Sequence, residues 1–414
     1  MRILKRNKTI KTISFCSTAL PREAWLRFCD GLEYYNINSL KLAGESQNED
    51  KMKDFCEGIV FNETIKTLSF TSETLSSRSL ERLCTMLANN PAIENLEFIR
   101  CLSHQVDYGN FNRVIKAGYL KVLTLDSSYL IGRNLKLISK ELQNNTSITE
   151  LNIPGNSPGW TELGSILSNN RTIKKLDLKS CANLQKESIA DLKLRDNKTL
   201  TSLSVATCYN LPLSALFEEL VHNTTLKALK IGNNAAPSCS KEQALEDYLA
   251  TTKTLRELHV EYMFSGINMA NCLEAIANGL KINKSVRKLT IHLSEQECQP
   301  FFEALKCNSS LTYLDIGMTT SWRENSVRED SILDLLRTNR TLRHIVGAEN
   351  FVPLEKNRVE QDKIIMNTCM LIKMILAKPN SFILPMEVWS NIFSYTSYSF
   401  VPFDFEQFFK KSMV

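Results

Sequence analysis

The sequence lacks the patterns that mark secreted and membrane-spanning proteins. Its 414 residues contain no run close to the roughly 20 apolar residues of a membrane-spanning helix. The basic N-terminus, MRILKRNKTIKTISF, is not followed by an apolar segment of about 7–15 residues, so it does not resemble a secretory signal peptide. We therefore expect a soluble, cytoplasmic protein without a membrane span.

Paired cysteines are also missing. The chain has twelve cysteines, but no two of them form a CxxC pair. The single CxxH, Cys101 to His104, has no second pair at the spacing of a zinc site. A secreted disulfide scaffold is normally short and dense in cysteine. The sequence therefore predicts reduced thiols, no metal site and no cofactor.

Catalytic and phosphate-binding motifs are scarce. GxxxxGK[ST], GxGxxG and HExxH are absent. One GxSxG occurs from Gly155 to Gly159, after a strand pattern and before a helix pattern, but the repeat described below accounts for it as a turn. The net charge is only +5 and no long basic block is present, so nucleic acid is not predicted as a partner. We expect a protein without enzymatic activity.

The chain does contain a sequence repeat. Stretches such as NETIKTLSF from Asn62 and NRTIKKLDL from Asn170 recur along it, and the first apolar residue of each copy serves as its anchor. The thirteen anchors are Ile10, Ile37, Ile65, Ile93, Leu120, Ile148, Ile173, Leu200, Leu226, Leu255, Val286, Leu311 and Leu342. Successive anchors are 25 to 31 residues apart. Chance does not sustain such a period over thirteen copies, and periods of this length are typical of solenoids.

Each repeat has two halves of different periodicity. The first half, LxxLxL, alternates like a short strand. The second half has helical spacing, as in SLERLCTMLANN, where Leu83 and Leu87 share one helical face. The Asn that ends this half is interpreted as a helix stop in the left-handed conformation. The recurring Asn-x-Thr glycosylation pattern is then a by-product of the repeat.

One strand and one helix in about 28 residues resemble the ribonuclease-inhibitor type of leucine-rich repeat. The resemblance implies an α/β leucine-rich repeat solenoid (horseshoe), with a parallel sheet on the concave face, helices on the convex face and a C-terminal helical cap. It assigns residues 1–351 to about thirteen repeats and 352–414 to the cap. It also implies that Asn or Cys, eight residues after the anchor, hydrogen-bonds the turn that leaves the strand. These positions hold Cys101, Asn156, Cys181, Cys208, Asn234 and Asn350.

Residues two, four and six after each anchor should face the concavity, because strand side chains alternate. The early repeats present small side chains there, and distinctive ones begin at the tenth repeat. The predicted partner-binding residues are Glu257, His259, Glu261, Lys288, His292, Tyr313, Asp315 and His344. An ordinary solvated sheet face is the alternative. A metal site is not predicted here, because the three histidines occupy different offsets along their strands.

The C-terminal segment carries two further patterns. Residues 359–377 predict an amphipathic helix that covers the end of the solenoid. The segment LPMEVWSNIFSY resembles the opening of an F-box, which binds the Skp1 adaptor of cullin ubiquitin ligases. The F-box-like residues are Leu384, Pro385, Glu387, Trp389, Ile392 and Phe393. Only 31 residues remain from Leu384 onward, fewer than a full F-box, so a capping helix with Pro385 in its first turn is the alternative.

These features together resemble the leucine-rich-repeat effectors of amoeba-infecting bacteria such as Legionella. That resemblance implies a non-enzymatic scaffold, secreted into the host cell cytoplasm, that binds a host protein through its concave face. The alternative function is an F-box-like substrate adaptor that recruits a Skp1-cullin ubiquitin ligase. A third class, a regulator that inhibits or activates an enzyme from the concave face, has no marker in the sequence.

Overall fold

The structure is a computed structural model that describes most of the repeat region. The described residues are 9–16, 20–44, 49–72, 75–181, 189–208, 211–232, 241–261, 268–293, 295–318, 334–335 and 338–346. They belong to two compact units, Met1–Gly279 and Leu280–Val414, and each unit is described by itself. The predicted boundary at 351/352, the predicted helix at 359–377 and all the F-box-like residues lie outside the described ranges, so these remain predictions.

The described part of the first unit contains ten parallel strands, and each pairs with the next one in the chain. They are β1 (Thr12–Cys16), β2 (Ser39–Ala43), β3 (Thr67–Thr71), β4 (Asn95–Ile99), β5 (Val122–Asp126), β6 (Glu150–Asn152), β7 (Lys175–Asp177), β8 (Ser202–Ser204), β9 (Ala228–Gly232) and β10 (Glu257–Glu261). Each begins two residues after its predicted anchor. Equal repeat positions face each other, as Thr67, Asn95 and Val122 do, so each repeat position forms a row across the sheet.

Helices occupy the second half of most described repeats. The α-helices are α1 (Arg22–Cys29), α2 (Glu49–Ile59), α3 (Ser77–Ala88), α4 (Phe111–Ala117), α5 (Gly132–Asn144), α6 (Trp160–Asn169), α7 (Leu213–Val221), α8 (Lys241–Thr251), α9 (Asn268–Ile282) and α10 (Glu295–Lys306). Short 3-10 helices cover Leu32–Tyr34, Tyr108–Asn110 and Ile189–Leu192. Leu83 and Leu87 are both buried on one face of α3, as their spacing predicts.

The second unit repeats the same construction in its described residues. Its strands are β11 (Lys288–Leu293), β12 (Tyr313–Met318) and β13 (His344–Val346), and they pair in parallel in that order. Helix α10 lies between β11 and β12 in the chain. Parallel strands that alternate with helices, once per repeat, form a leucine-rich repeat solenoid. The predicted fold class is therefore confirmed.

The core lies between the strands and the helices. In β4, Leu96 and Phe98 are buried while Asn95 and Glu97 are half-buried on the opposite face, which confirms the predicted alternation. The described anchors are buried except Ile10, which is 36% exposed in the first repeat. An aromatic cluster covers that repeat instead, with the rings of Phe15 and Phe28 only 4.7 Å apart.

The Asn that lies three residues before most of the described anchors is a buried hydrogen-bonding residue, and the predicted left-handed helix stop is wrong. Asn170 is 1% exposed, and its φ of −71° and ψ of 138° are extended backbone. Its Oδ1 accepts hydrogen bonds from the backbone N–H groups of Thr172 and Ile173, both at 2.8 Å. Its Nδ2 donates to the carbonyls of Leu142 at 2.7 Å and Asn145 at 3.0 Å, in the preceding repeat. The amide therefore satisfies backbone groups of two repeats at once.

This arrangement recurs along the chain and forms what we call the asparagine ladder. Its members in the first unit are Asn62, Asn90, Asn145, Asn170, Asn197 and Asn223. Asn308 and Asn339 make equivalent bonds in the second unit. A buried amide that makes several bonds tolerates no other side chain easily, because any replacement leaves buried polar groups unpaired.

Left-handed backbone occurs instead in the turn that leaves the strand. The residue seven positions after the anchor has φ between 47° and 59° at Ser72, Arg100, Ser127, Ser180 and Thr207. Glycine would adopt this conformation freely, whereas other residues incur a free-energy cost of roughly 1–2 kcal/mol. These turns are therefore held by the hydrogen bonds around them.

Cysteine braces several of these turns, as the family resemblance implies. The thiols of Cys101 and Cys208 each donate to a carbonyl of the preceding repeat at 2.9 Å, and that of Cys181 does so at 3.4 Å. A hydrogen bond with the Cys208 thiol, together with burial, raises the pKa of Cys181. Cys84 is buried in α3, whereas Cys307 is exposed just after α10.

Asn156 braces its turn with more bonds than a thiol provides. Its Oδ1 accepts from the N–H groups of Ser128 at 3.0 Å and Leu130 at 2.9 Å, and its Nδ2 donates to the carbonyl of Leu125 at 2.6 Å. This role accounts for the GxSxG pattern as a turn. Ser128 occupies the same repeat position and donates to the carbonyl of Asp126 at 2.9 Å, which the sequence pattern missed. Asn234 and Asn350 lie outside the described residues.

Candidate functional site: the exposed face of the sheet

The face of the sheet that is turned away from the core is built from repeat positions two, four and six. Parallel pairing without a change of register places these positions in straight rows across neighbouring strands. Neighbouring strands are about 5 Å apart, so side chains of successive repeats contact each other directly. In β1 to β3 the rows hold mainly Ser and Thr, and charged side chains become frequent from β6 onward.

A charged cluster lies at the end of β10 in the first unit. The carboxylate of Glu261 lies 2.7 Å from the ammonium of Lys230 and 3.3 Å from that of Lys179. The imidazole of His259 lies 3.6 Å from the same carboxylate. We call these four residues the Glu261 cluster. Its members come from three different repeats, so the cluster exists only when those repeats are stacked.

The Glu261 carboxylate is held in its ionised form. Its side chain is only 16% exposed, and this burial opposes ionisation. The hydrogen bond and charge of Lys230, together with those of Lys179, outweigh burial and hold the pKa of Glu261 below its ordinary value. The lysines remain 34% and 42% exposed. The ammonium groups of the cluster therefore remain accessible to solvent, while the Glu261 carboxylate is held between them.

Small residues form the floor beside the cluster. Ala206 and Gly232 occupy position six in the two repeats between Lys179 and Glu261. Gly232 has φ of 148°, and a Cβ added there would lie 1.9 Å from the carbonyl oxygen of Glu261. A side chain at Gly232 would displace the backbone of β10. Glycine at this position is thus required for the strands to approach each other and for Lys179 to reach Glu261.

The structure divides the predicted partner-binding residues between the two units. Glu257 is exposed at the start of β10, two residues before the half-buried His259 and four before Glu261. The other five lie on the strands of the second unit: Lys288 and His292 on β11, Tyr313 and Asp315 on β12, and His344 on β13. Their role in partner binding is not tested by their positions and remains a prediction.

Three of the five residues of the second unit, Lys288, Tyr313 and His344, lie side by side on adjacent strands. Lys288 faces Tyr313 in the strand register, and its ammonium lies 5.3 Å from the centre of the tyrosine ring. That distance is within the range of a cation–π interaction. The ring of His344 lies 6.3 Å from that of Tyr313. Asp315 on β12 faces Thr290 on the neighbouring strand β11. A basic, an aromatic and an imidazole side chain thus meet on three adjacent strands.

Lys179 and Lys230 were not among the residues that the sequence singled out. Both occupy face positions of the repeat, and that periodicity is the signal by which they could be found. The pairing itself has no local signature, because Lys179 and Glu261 are 82 residues apart. In the part of the chain that the structure describes, no group of three or more His, Cys, Asp or Glu residues could hold a metal ion.

No family model matches the sequence, and no curated protein matches it. Among solved structures, the Rad7–Elc1 complex of yeast is similar at 17% identity and a TM-score of 0.38, over 74% of this chain and 85% of that chain. The leucine-rich repeat-containing protein LegL7 of Legionella pneumophila has 14% identity and a TM-score of 0.47, over 79% and 97%. The internalin inlF of Listeria monocytogenes has 12% identity and a TM-score of 0.35, over 83% and 88%.

None of the described helices is long and apolar enough to cross a bilayer.

Proposed function

We propose that the protein is a non-enzymatic scaffold that binds another protein through the exposed face of its sheet. The observation that carries this proposal is the Glu261 cluster, in which residues from three repeats form one fixed arrangement of charge. Side chains on rigid strands lose little conformational freedom when a partner binds, which favours affinity. The cation–π contact of Lys288 with Tyr313 offers a second ordered surface on the second unit.

The double substitution Glu257→Arg and Tyr313→Ala tests this proposal. Partners are first identified by crosslinking and mass spectrometry, and the affinity of the purified partner is then measured by calorimetry. We expect the double variant to lose binding without a change in its unfolding transition. A matched variant, Glu63→Arg with Tyr34→Ala, changes an exposed carboxylate and an exposed tyrosine elsewhere and should bind normally. Undiminished binding by the double variant would direct attention away from the sheet face.

We further propose that the partner is a host protein and that the chain acts as a bacterial effector in the host cytoplasm. Support comes from the sequence resemblance, namely Asn-rich repeats of about 28 residues. Crosslinking in lysates of amoeba cells and of bacteria provides the test. A partner that is captured from bacterial lysate, and not from host lysate, would contradict the effector role.

The second candidate function is that of an F-box-like adaptor, favoured by the segment from Leu384 to Tyr395. A pull-down with purified Skp1 compares the full chain with a truncation at Pro379. The adaptor function predicts that only the full chain retains Skp1. Equal or absent binding in both forms would remove this candidate and leave the scaffold proposal intact.

A further inference from the structure

Two repeat positions at the edge where the chain enters each strand have an unusual charge bias. One is the residue directly after the ladder asparagine or its equivalent, two before the anchor. The other is the residue directly after the anchor. In repeats seven to ten these eight positions hold Arg171, Lys174, Lys198, Thr201, Thr224, Lys227, Lys253 and Arg256. We call the six basic residues the basic strip.

Hydrogen bonds fix the order of the basic strip. The N–H of Thr201 donates to the carbonyl of Lys174 at 2.7 Å, the N–H of Lys227 to that of Thr201 at 2.8 Å, and the N–H of Arg256 to that of Lys227 at 2.7 Å. In the other row, Arg171, Lys198 and Thr224 each directly follow a ladder asparagine, and Lys253 follows Thr252 at the equivalent position. Successive residues of each row are therefore about 5 Å apart, and the basic side chains are adjacent in space.

Within the described part of the chain, five of the six residues of the basic strip lack the ion pairs that occur at the same edge in an earlier repeat. At the same edge in the fourth repeat, Glu94 pairs with Lys121 at 2.7 Å and with Lys66 at 3.8 Å. The eight positions of repeats seven to ten include no acidic residue. Within the described residues, Arg171, Lys174, Lys198, Lys227 and Lys253 form no ion pair. The whole chain has 50 basic and 45 acidic residues, so an unbiased surface would carry carboxylates at about half of its charged positions.

Acidic residues border the basic strip on both sides and make it narrow. On the sheet face, Glu150 pairs with Lys175 at 3.0 Å, and Glu257 is exposed beside Arg256. On the helix side, Glu219 pairs with Arg195 at 3.4 Å. A membrane surface or a nucleic-acid duplex is wider than the basic strip, so its negative charges would lie against these carboxylates and be repelled. Both ligands are therefore disfavoured. Exposed aromatic rings, on which single-stranded bases stack, are absent from the eight positions themselves.

We propose that the basic strip binds an acidic, extended segment of the partner protein. This inference rests on the proposed function and specifies the chemistry of the partner. An extended chain that crosses the strands presents carboxylates about 7 Å apart on one face. Basic side chains in successive and alternate repeats are about 5 and 10 Å apart, and the flexible stems of lysine accommodate the difference. In the second unit, the six equivalent positions hold Lys284, Arg287, Ser309, Thr312, Arg340 and Arg343, so four are basic and none is acidic.

Fluorescence anisotropy with a labelled glutamate peptide of about ten residues tests the proposal. The full chain is compared with the triple variant Lys174→Glu, Lys198→Glu and Lys227→Glu. We expect the triple variant to bind the peptide roughly tenfold or more weakly, since three ion pairs become repulsive. Binding to the native chain should also weaken as salt is raised, because these exposed charges are screened.

A matched variant separates local contacts from net charge. The substitutions Lys116→Glu, Lys136→Glu and Lys140→Glu change the same number of exposed charges on α4 and α5, and they should alter peptide affinity by about twofold or less. Equal losses in the two triple variants would overturn the proposal. So would tighter binding of phosphatidylserine vesicles or of single-stranded oligothymidylate, if the basic-strip substitutions abolish it. A protein partner that no longer binds the sheet-face variant, Glu257→Arg with Tyr313→Ala, but binds the basic-strip variant normally would exclude the basic strip as its binding site. The proposed function would still hold in that case.

Discussion

The ammonium of Lys179 lies 3.3 Å from the carboxylate of Glu261, although the two residues are 82 positions apart in the sequence. They meet over Ala206 and Gly232, whose small size leaves the space between them open. Lys230 approaches the same carboxylate at 2.7 Å. The ion pair between Lys179 and Glu261 forms only when four successive repeats are stacked correctly, and its loss is measurable.

The first prediction concerns the pH dependence of stability. The pKa of Glu261 is lower in the folded chain than its ordinary value of 4.5, so the ionised carboxylate favours the folded state. This contribution is complete above that ordinary value and is lost as pH falls through the lower folded-state pKa. Glu261→Gln should therefore reduce the free energy of unfolding by about 1 kcal/mol at about pH 7 and by less at about pH 3. Urea unfolding at the two pH values measures both differences.

The control for this prediction is Glu218→Gln, which alters an exposed carboxylate on α7. Its effect should stay within about 0.5 kcal/mol at either pH. A loss in Glu261→Gln that is equally large at low pH would show that packing, and not ionisation, accounts for it.

The second prediction compares two adjacent asparagines. Asn170→Ala removes four hydrogen bonds with backbone groups and leaves those groups, which belong to two repeats, unpaired, so we expect a loss of about 2–4 kcal/mol. Asn169 donates only to the carbonyl of Ser165 in its own helix and is exposed, so Asn169→Ala should cost about 0.5 kcal/mol or less. Chemical denaturation of both variants measures the difference. Similar losses would mean that the ladder bonds do not stabilise the stack.

The third prediction concerns close packing at Gly232. Gly232→Ala places a Cβ 1.9 Å from the carbonyl oxygen of Glu261 at a positive φ, so we expect a loss of about 3 kcal/mol or more. Gly118→Ala also occupies a positive φ, but its nearest neighbour would be 3.9 Å away. That variant isolates backbone strain and should cost about 1 kcal/mol. Thermal unfolding of both variants separates strain from the clash, and equal losses would exclude the clash.

The fourth prediction concerns thiol reactivity. Cys16 and Cys307 are exposed and should react with iodoacetamide within minutes at about pH 8. Burial raises the pKa of Cys56 to about 12 and also raises the pKa of Cys84, so both should be protected. Peptide mass spectrometry against reaction time gives the rates, with the urea-unfolded chain as the reference. Rapid labelling of Cys84 in the native chain would contradict the buried position.

Most of the fold could be predicted from the period of the sequence repeat. Every described strand begins two residues after a predicted anchor, because apolar alternation and the fixed length of the repeat leave no other register. The turn residues Cys101 and Asn156 were also predictable, since their role follows from a repeat position. Ser128 was not, because its hydroxyl performs the same task with a residue type that is common in any turn.

Interactions between repeats could not be predicted from local patterns. The tendency of Asn to adopt left-handed backbone is a property of single residues, whereas Asn170 depends on carbonyls of Leu142 and Asn145 in the preceding repeat. The contact of Lys179 with Glu261 likewise depends on the small residues between them. Sequence periodicity placed Glu257 and Tyr313 on the correct face, but whether they bind a partner remains a prediction.

The asparagine ladder also gives the stack a direction. Each ladder amide donates to carbonyls of the preceding repeat, which is synthesised earlier. Asn223, for example, donates to Leu194 and Asn197. A newly emerging repeat therefore meets its hydrogen-bond acceptors in place, and its own carbonyls then serve the repeat that follows. Synthesis from the N-terminus and assembly of the stack thus run in the same order. A chain that loses its first repeats would leave the amides of the next repeat without acceptors.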